Sequence, residues 1–264
     1  MQPVKRQKYI LNLANVLRKE WRVKELADRL FVSELTIRRD LGKLVEKGDV
    51  IRTLGGCIAR GEGSIGTVFN NEYQRNLELK TAIGREAAKL LKSDNTMLMG
   101  DGSTVLQFAA HLGGINNLKI YTNNIAAIQQ LDKSGDKRLF ILGGEYDYEY
   151  NMMLLKGSLT DRVLETLKFD SIFIGTDAID SKGQCLSRHE ELARTNQIIL
   201  RRGTKKVLLA DHTKVGAPGN VIYGCLSDFD LWVTTEGIDR EKMEIYRQQT
   251  EIMEIPPSQS FLES

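Results

Sequence analysis

Arg38 and Arg39, side by side in the run Ser33-Glu34-Leu35-Thr36-Ile37-Arg38-Arg39-Asp40-Leu41, are the residues of this chain best suited to holding a polyanion. Ser33 is a good N-cap, because its hydroxyl can accept from an unpaired N–H two or three residues on, so a helix is expected to start at Glu34. From there Ile37, Leu41, Leu44 and Val45 recur at helical spacing as a buried stripe. Thr36, Arg39 and Lys43 line the opposite side, with Arg38 on its flank. Any one of these cations alone reads as a solvated surface charge; with the cap and the stripe they read as a face that enters a DNA groove.

A second set of residues suits a small anion. Asp101-Gly102-Ser103-Thr104 combines a glycine that lets the backbone approach, two hydroxyls that donate, and the start of a helix with its partial positive charge. Lys214 could bring a full charge to the same anion, while Asp101, Asp177 and Asp211 could accept from sugar hydroxyls. Asp-Gly and Gly-Gly are also ordinary turn signals, and Ser103 could simply cap its helix. His189-Glu190-Glu191 is a weaker signal, equally readable as a charged helix start. The basic cluster Arg201, Arg202, Lys205 and Lys206 reads as structural, at a helix C-terminus where cations suit the dipole.

The elements that must position these groups follow from the pattern. Val23, Leu26, Ala27 and Leu30 make a short amphipathic helix ahead of Ser33, and the Phe31-Val32 link leaves room only for a sharp helix-turn-helix connection. Ile10, Leu11, Ala14 and Leu17 supply a third stripe, so three helices share one small core. Gly48 can end the Ser33-capped helix, and Val50-Ile51 begins a short strand, read as a wing that brings Arg52 near a phosphate backbone. Beyond a glycine-containing linker at 58–75, strands are expected at Thr96–Gly100, Leu118–Thr122, Leu139–Leu142, Ser171–Gly175, Val207–Ala210 and Leu231–Thr234. Helices are expected near 76–92, 104–112, 124–132, 158–168, 189–202 and 239–248. This alternation predicts an α/β domain with a mainly parallel, Rossmann-like sheet between helices. Ligands of such sheets lie beyond the carboxyl ends of the strands. The residues there are Asp101–Thr104, Thr122-Asn123-Asn124, Gly143-Gly144-Glu145, Gly175-Thr176-Asp177 and Asp211–Lys214. The expected boundaries are thus a winged head at 1–57, the linker, a sensing domain at 76–256 and a tail at 257–264.

Charge follows the same division. The first 60 residues hold 14 basic and 7 acidic side chains, whereas the remainder holds 23 and 28, so a near-neutral chain of net +2 hides a basic head on an acidic body. Cys57, Cys185 and Cys225 are odd in number and far apart, which points away from a disulfide framework or a metal site and toward a reducing cytoplasm. No apolar run approaches the ~18 residues of a membrane span, and no signal segment opens the chain.

The chain resembles the DeoR-type bacterial transcriptional regulators from about residue 4 to 255. The resemblance rests on Val23-Lys-Glu-Leu-Ala27, Val32-Ser-Glu-Leu-Thr-Ile-Arg-Arg-Asp-Leu41 and Arg52-Thr-Leu-Gly-Gly56 in the head. In the body it rests on Lys80 ahead of Ala-Ile-Gly, Asp101-Gly-Ser-Thr104, Thr122-Asn123, Leu142-Gly-Gly144, Phe173-Ile-Gly-Thr-Asp-Ala-Ile-Asp180 and Ala210-Asp-His-Thr-Lys214. It implies a winged helix-turn-helix followed by a sensor domain similar in fold to ribose-5-phosphate isomerase. It also implies repression of a sugar or nucleoside operon, relieved by a phosphorylated sugar. By the same resemblance Thr36, Arg38 and Arg39 would contact DNA, with Ser33, Lys43 and Arg52 beside them. Lys80, Asp101, Gly102, Ser103, Thr104, Thr122, Asn123, Gly143, Gly144, Asp177, Glu191, Asp211 and Lys214 would line the effector pocket. The chain departs from the family at Ser103, where a threonine is common, and at Asn196-Gln197, where a lysine is common.

The leading expectation is therefore a non-enzymatic repressor without cofactor or metal. Its partners would be double-stranded operator DNA, a sugar phosphate and further copies of itself as a dimer or tetramer, since one small head buries too little surface for high specificity. A sugar-phosphate isomerase with a regulatory head is the alternative, with Asp101, Asp177, Glu191 and Lys214 as acid, base and enediolate stabiliser; it leaves the basic head without a use. A head that binds protein rather than DNA is a third reading.

Overall fold

The computed structural model describes residues 6–7, 9–10, 20–47, 49–53, 55–59, 73, 75–131, 136–146 and 154–256. They divide between two compact units, those up to 59 in the first and those from 73 onward in the second.

In the first unit, residues 6–7 and 9–10 are helical, and β1 (Trp21–Arg22) leads into α1 (Val23–Leu30) and α2 (Glu34–Glu46). The link between α1 and α2 is as tight as the sequence requires. Phe31 takes a left-handed conformation (φ 53°), and Val32 N–H donates back to Ala27 O at 3.1 Å. β2 (Val50–Arg52) and β3 (Gly56–Ala59) form the antiparallel wing, with Arg52 opposite Cys57. β1 pairs with β3 on its other side, an addition that two residues could not announce. Gly56 is obligatory there, because a Cβ would lie 1.8 Å from Trp21 O. Ile10, Trp21, Val23, Leu26, Ile37, Leu41, Leu44, Val50 and Cys57 close one core. Val45 was expected in the stripe but is 36% exposed, since its position drifts from the line through Ile37, Leu41 and Leu44. Leu11, Ala14, Leu17 and Gly48 lie outside the described residues, as does most of the expected linker, whose first two residues, Ile58 and Ala59, complete β3.

The second unit is built on a seven-stranded sheet. Its strands are β4 (Thr96–Met99), β5 (Leu118–Thr122), β6 (Lys137–Ile141), β9 (Phe169–Ile174), β12 (Gly203–Leu209), β14 (Leu231–Thr235) and β15 (Glu251–Ile255). Their order is β15-β14-β12-β9-β4-β5-β6, and every pairing is parallel. Six of the seven are the expected strands, whereas β15 lies beyond the last expected helix. Between the strands run α3 (Leu77–Ala88), α4 (Ser103–Ala110), α5 (Ala127–Gln130), α6 (Ser158–Thr166), α7 (Glu190–Leu200) and α8 (Arg240–Arg247). α3 lies tight against α4, where a Cβ on Gly84 would come within 2.5 Å of the Gln107 backbone. α5 is shorter than expected because Asn124 makes a turn instead, its side-chain carbonyl accepting from Ala126 N–H at 3.1 Å. Lys205 and Lys206, read above as a helix C-terminus, belong to β12. Two small antiparallel pieces complete the unit: a hairpin of β7 (Glu145–Tyr146) with β8 (Leu155–Lys156), and a sheet of β10 (Ala178–Ile179), β11 (Gln184–Ser187) and β13 (Val221–Cys225).

Candidate functional site

The outward face of α2 is the first candidate. Ser33 caps the helix as its type predicts: its hydroxyl accepts from Thr36 N–H at 3.3 Å and lies 2.9 Å from the Thr36 hydroxyl. Ile37, Asp40, Leu41 and Leu44 face inward, which turns Leu35, Arg39 and Lys43 to solvent. Arg38, also exposed, reaches Glu34 one turn back at 3.5 Å, a pair in which both side chains are half exposed and which contributes little. Arg39 and Lys43 have no ion-pair partner among the described residues. Arg52 is exposed on the wing.

One residue of this helix went unnoticed as a contributor. Asp40 is 3% exposed and receives the buried guanidinium of Arg6 and the side-chain amide of Gln7, the latter at 3.0 Å. A carboxylate in a core is tolerated only when its oxygens are satisfied in this way. The bond joins Ile37, Leu41 and Leu44 in holding this side of α2 inward, the side opposite Arg39. The signal was available, because Asp40 sits three residues after Ile37 and four before Leu44, on the apolar stripe.

The carboxyl edge of the large sheet is the second candidate. Asp101, Asp177 and Asp211 follow β4, β9 and β12, the three neighbouring central strands, so their positions converge as the strand-end rule predicts. Burial, and second the charge of Asp177, push the Asp101 carboxyl up to about 6. Asp177 is held in turn by Arg188 N–H at 2.8 Å, by the Ser187 hydroxyl at 3.3 Å and by the Arg188 guanidinium at 3.4 Å. Tyr223 was not singled out from the sequence. It is buried, donates to Gly175 O at 2.8 Å, and is kept protonated far above the ordinary phenol range by burial first and by its neighbours Cys185, Asp101 and Asp177.

Asp211 is fully buried. One oxygen accepts from Thr213 N–H at 3.0 Å, while the other has no hydrogen-bond partner among the described residues. The same loop continues into the turn His212–Lys214, where the half-buried Lys214 ammonium has no ion-pair partner among the described residues. Asn76, just ahead of α3, donates to the Thr213 hydroxyl at 3.0 Å. Lys80, one turn further along α3, is 1% exposed. Gly102 (φ 102°) opens α4, and a Cβ there would meet nothing within 4 Å among the described residues, so its role is conformational and leaves space before Ser103 and the buried Thr104.

Other expected residues hold the edge together. The Thr122 hydroxyl accepts from Asn124 N–H at 3.0 Å, and the Asn123 amide donates to Leu155 O at 3.1 Å. Gly143 O accepts from the Thr160 hydroxyl at 2.8 Å, and a Cβ on Gly144 would collide with that hydroxyl. Glu191 is exposed and paired with Lys156 at 2.7 Å. Asn196, one of the two departures from the family pattern, is buried beside Thr195, whose hydroxyl donates to Asp161. A separate cavity of about 360 Å³ opens at the amino edge of β4, β5 and β6, between Asp94, Asn117, Lys119 and Arg138, and includes none of these residues.

The Asp101 carboxyl sets a pH dependence. A group whose value is raised on folding contributes stability at low pH that is lost as the pH rises through its folded value, here about 6. Asp101→Asn is therefore expected to raise Tm at pH 7.5 by more than at pH 4.5, in thermal unfolding followed by circular dichroism. An equal shift at both values would remove this carboxyl as the source.

Comparison with known proteins gives two family matches. Residues 6–61 match the DeoR-like helix-turn-helix domain, and residues 75–236 match the DeoR C terminal sensor domain. The chain is similar to the lactose phosphotransferase system repressor of Staphylococcus aureus (28% identity, covering 88% of this chain and 92% of that protein). It is also similar to the transcriptional regulator GolR of Listeria innocua (29%, covering 91% and 93%) and to the regulator GlpR of Haloferax volcanii (27%, covering 84% and 86%). Among solved structures, a D-ribose-5-phosphate isomerase in complex with phospho-erythronic acid overlaps 53% of this chain and 54% of its own, at 20% identity and a TM-score of 0.38. No helix among the described residues is long and apolar enough to cross a membrane.

Proposed function

The chain belongs to the DeoR family of transcriptional regulators, and from that premise we propose that it represses genes of carbohydrate or nucleoside catabolism and releases its operator when a phosphorylated sugar binds the second unit. The observation that carries the DNA half is the exposed cationic face of α2, with Arg39 and Lys43 opposite the buried stripe and Arg38 beside them. Arg52 on the wing adds a phosphate contact, and Ser33 and Thr36 sit at the end of the helix that leads into a major groove. Family membership favours regulation over the isomerase reading.

For the effector, the open space at Gly102, the Ser103 and Thr104 hydroxyls and the start of α4 suit a phosphate, with Lys214 as its counter-charge. Asp101, Asp177 and the unpaired oxygen of Asp211 suit hydroxyl donors, because a buried acceptor without a donor gains most from acquiring one. Lys80, Thr122, Asn123, Gly143, Gly144 and Glu191 frame or extend this pocket. The regulator acts as a dimer or tetramer, since one head alone covers roughly 600–1,000 Å² and specificity needs paired half-sites. The effector acts by binding the DNA-free assembly more tightly than the DNA-bound one.

A thermal-shift screen of the full chain against pentose, hexose and triose phosphates is the first test, because a ligand of the native state raises Tm. With the best ligand in hand, Lys214→Ala is expected to weaken the thermal response at least tenfold in concentration while leaving affinity for a selected duplex near wild type in gel-shift titration. An undiminished response would take Lys214 out of the pocket. DNA binding that is absent, or insensitive to salt between 50 and 200 mM, would overturn the repressor reading.

A further inference from the structure

The charged face of α2 has an apolar patch in it. Leu35 is 60% exposed although it lies one turn ahead of Arg39 on the side opposite the buried stripe. Phe31, in the turn that leads to the same end of the helix, is 94% exposed and left-handed at φ 53°. The left-handed turn at Phe31 ends α1 with the Val32 N–H to Ala27 O bond, but its bare ring in water, like the Leu35 side chain, gains nothing from the head's own core. Further along the same face is Gly42, where a Cβ would meet nothing within 4 Å, so none of the described residues covers this side of the helix.

Charge complementarity decides what covers it. Arg38 and Arg39 lie one turn beyond Leu35 and Lys43 two turns beyond it, which makes a nucleic-acid duplex the matching occupant. Within the major groove the one apolar feature of a base edge is the C5 methyl of thymine. We propose that Leu35 is a base-reading residue of this regulator, packing its side chain against a thymine methyl while the neighbouring guanidinium groups hold phosphate or guanine. The assignment rests on the DNA-binding reading above and adds to it a base preference at one operator position per head.

The test uses the full chain. A duplex is selected from a random-sequence pool by the wild-type protein, and each consensus thymine is then replaced by uracil, which differs only by the missing methyl. At one position per half-site uracil is expected to weaken binding about fourfold, the weight of one buried methyl group. Leu35→Ala is expected to bind the thymine and uracil duplexes equally and, in a fresh selection, to lose the thymine preference at that position alone. Leu35 is exposed, so the variant's Tm should match wild type. Uracil tolerated at every position, or discrimination that survives in Leu35→Ala, would overturn the assignment and leave the repressor reading standing. Failure of the wild-type protein to enrich any duplex would overturn both.

Discussion

Replacing Arg38 and Arg39 together by alanine is expected to cut affinity for a selected duplex by roughly 30-fold to 10⁴-fold, about 1–3 kcal/mol for each guanidinium lost from a base or phosphate contact. If both reach phosphates, the dependence of log affinity on log salt should flatten by about 2. The fold should not notice: both side chains are exposed, and the one interaction removed is the half-exposed pair of Arg38 with Glu34, of a kind worth about 0.3–0.5 kcal/mol. Gel-shift titration at two salt concentrations, beside a thermal melt, separates the two effects. A double variant that binds DNA as wild type would mean that the α2 face is not the DNA-binding surface.

Asp40→Ala is expected to produce the largest loss of stability in the head, about 3–5 kcal/mol, because it leaves the Arg6 guanidinium buried without its carboxylate. That is a large part of what a small domain has. The chain has two tryptophans, and Trp21 lies in the head core while Trp232 lies in the other unit, so Trp232→Phe makes Trp21 fluorescence a reporter of head unfolding. On that background Asp40→Ala should lower the denaturant midpoint sharply, whereas Asp40→Leu combined with Arg6→Met should recover most of it by exchanging an ion pair for packing. Recovery by the double change is the decisive arm; if it fails, Asp40 contributes through something other than its charge.

The difference between these two positions shows what the sequence made legible. Arg38, Arg39 and Asp40 are three consecutive charged residues, and helical geometry alone sends the first two outward and the third onto the stripe of Ile37 and Leu44. The outward pair was read because DNA binding calls for cations; the inward carboxylate was passed over because charge usually marks solvent. Strands with continuous apolar runs, such as Ser171-Ile-Phe-Ile174 and Val207-Leu-Leu209, were legible from composition. β15 was not: Glu251-Ile-Met-Glu-Ile255 is neither a continuous apolar run nor a strict alternation, as suits a half-covered edge strand, and it follows α8 after only a few residues. The small sheet of β10, β11 and β13 was missed for a related reason, since strands of two to five residues beside glycines carry too little periodicity. At the carboxyl edge of the sheet the positions of the aspartates were legible because they follow strands. Tyr223 was not, because it enters from that small sheet and becomes a neighbour of Asp101 and Asp177 only in three dimensions.

β14 is buried along all five residues, and β15 closes the flank that β12 does not. A reading frame cut short before residue 251 would strip that cover and expose a row of unpaired amides and carbonyls on a hydrophobic strand, a template for other chains. A chain terminated between α8 and β15 should therefore be insoluble, and when made beside the intact chain it should draw that chain into the insoluble fraction.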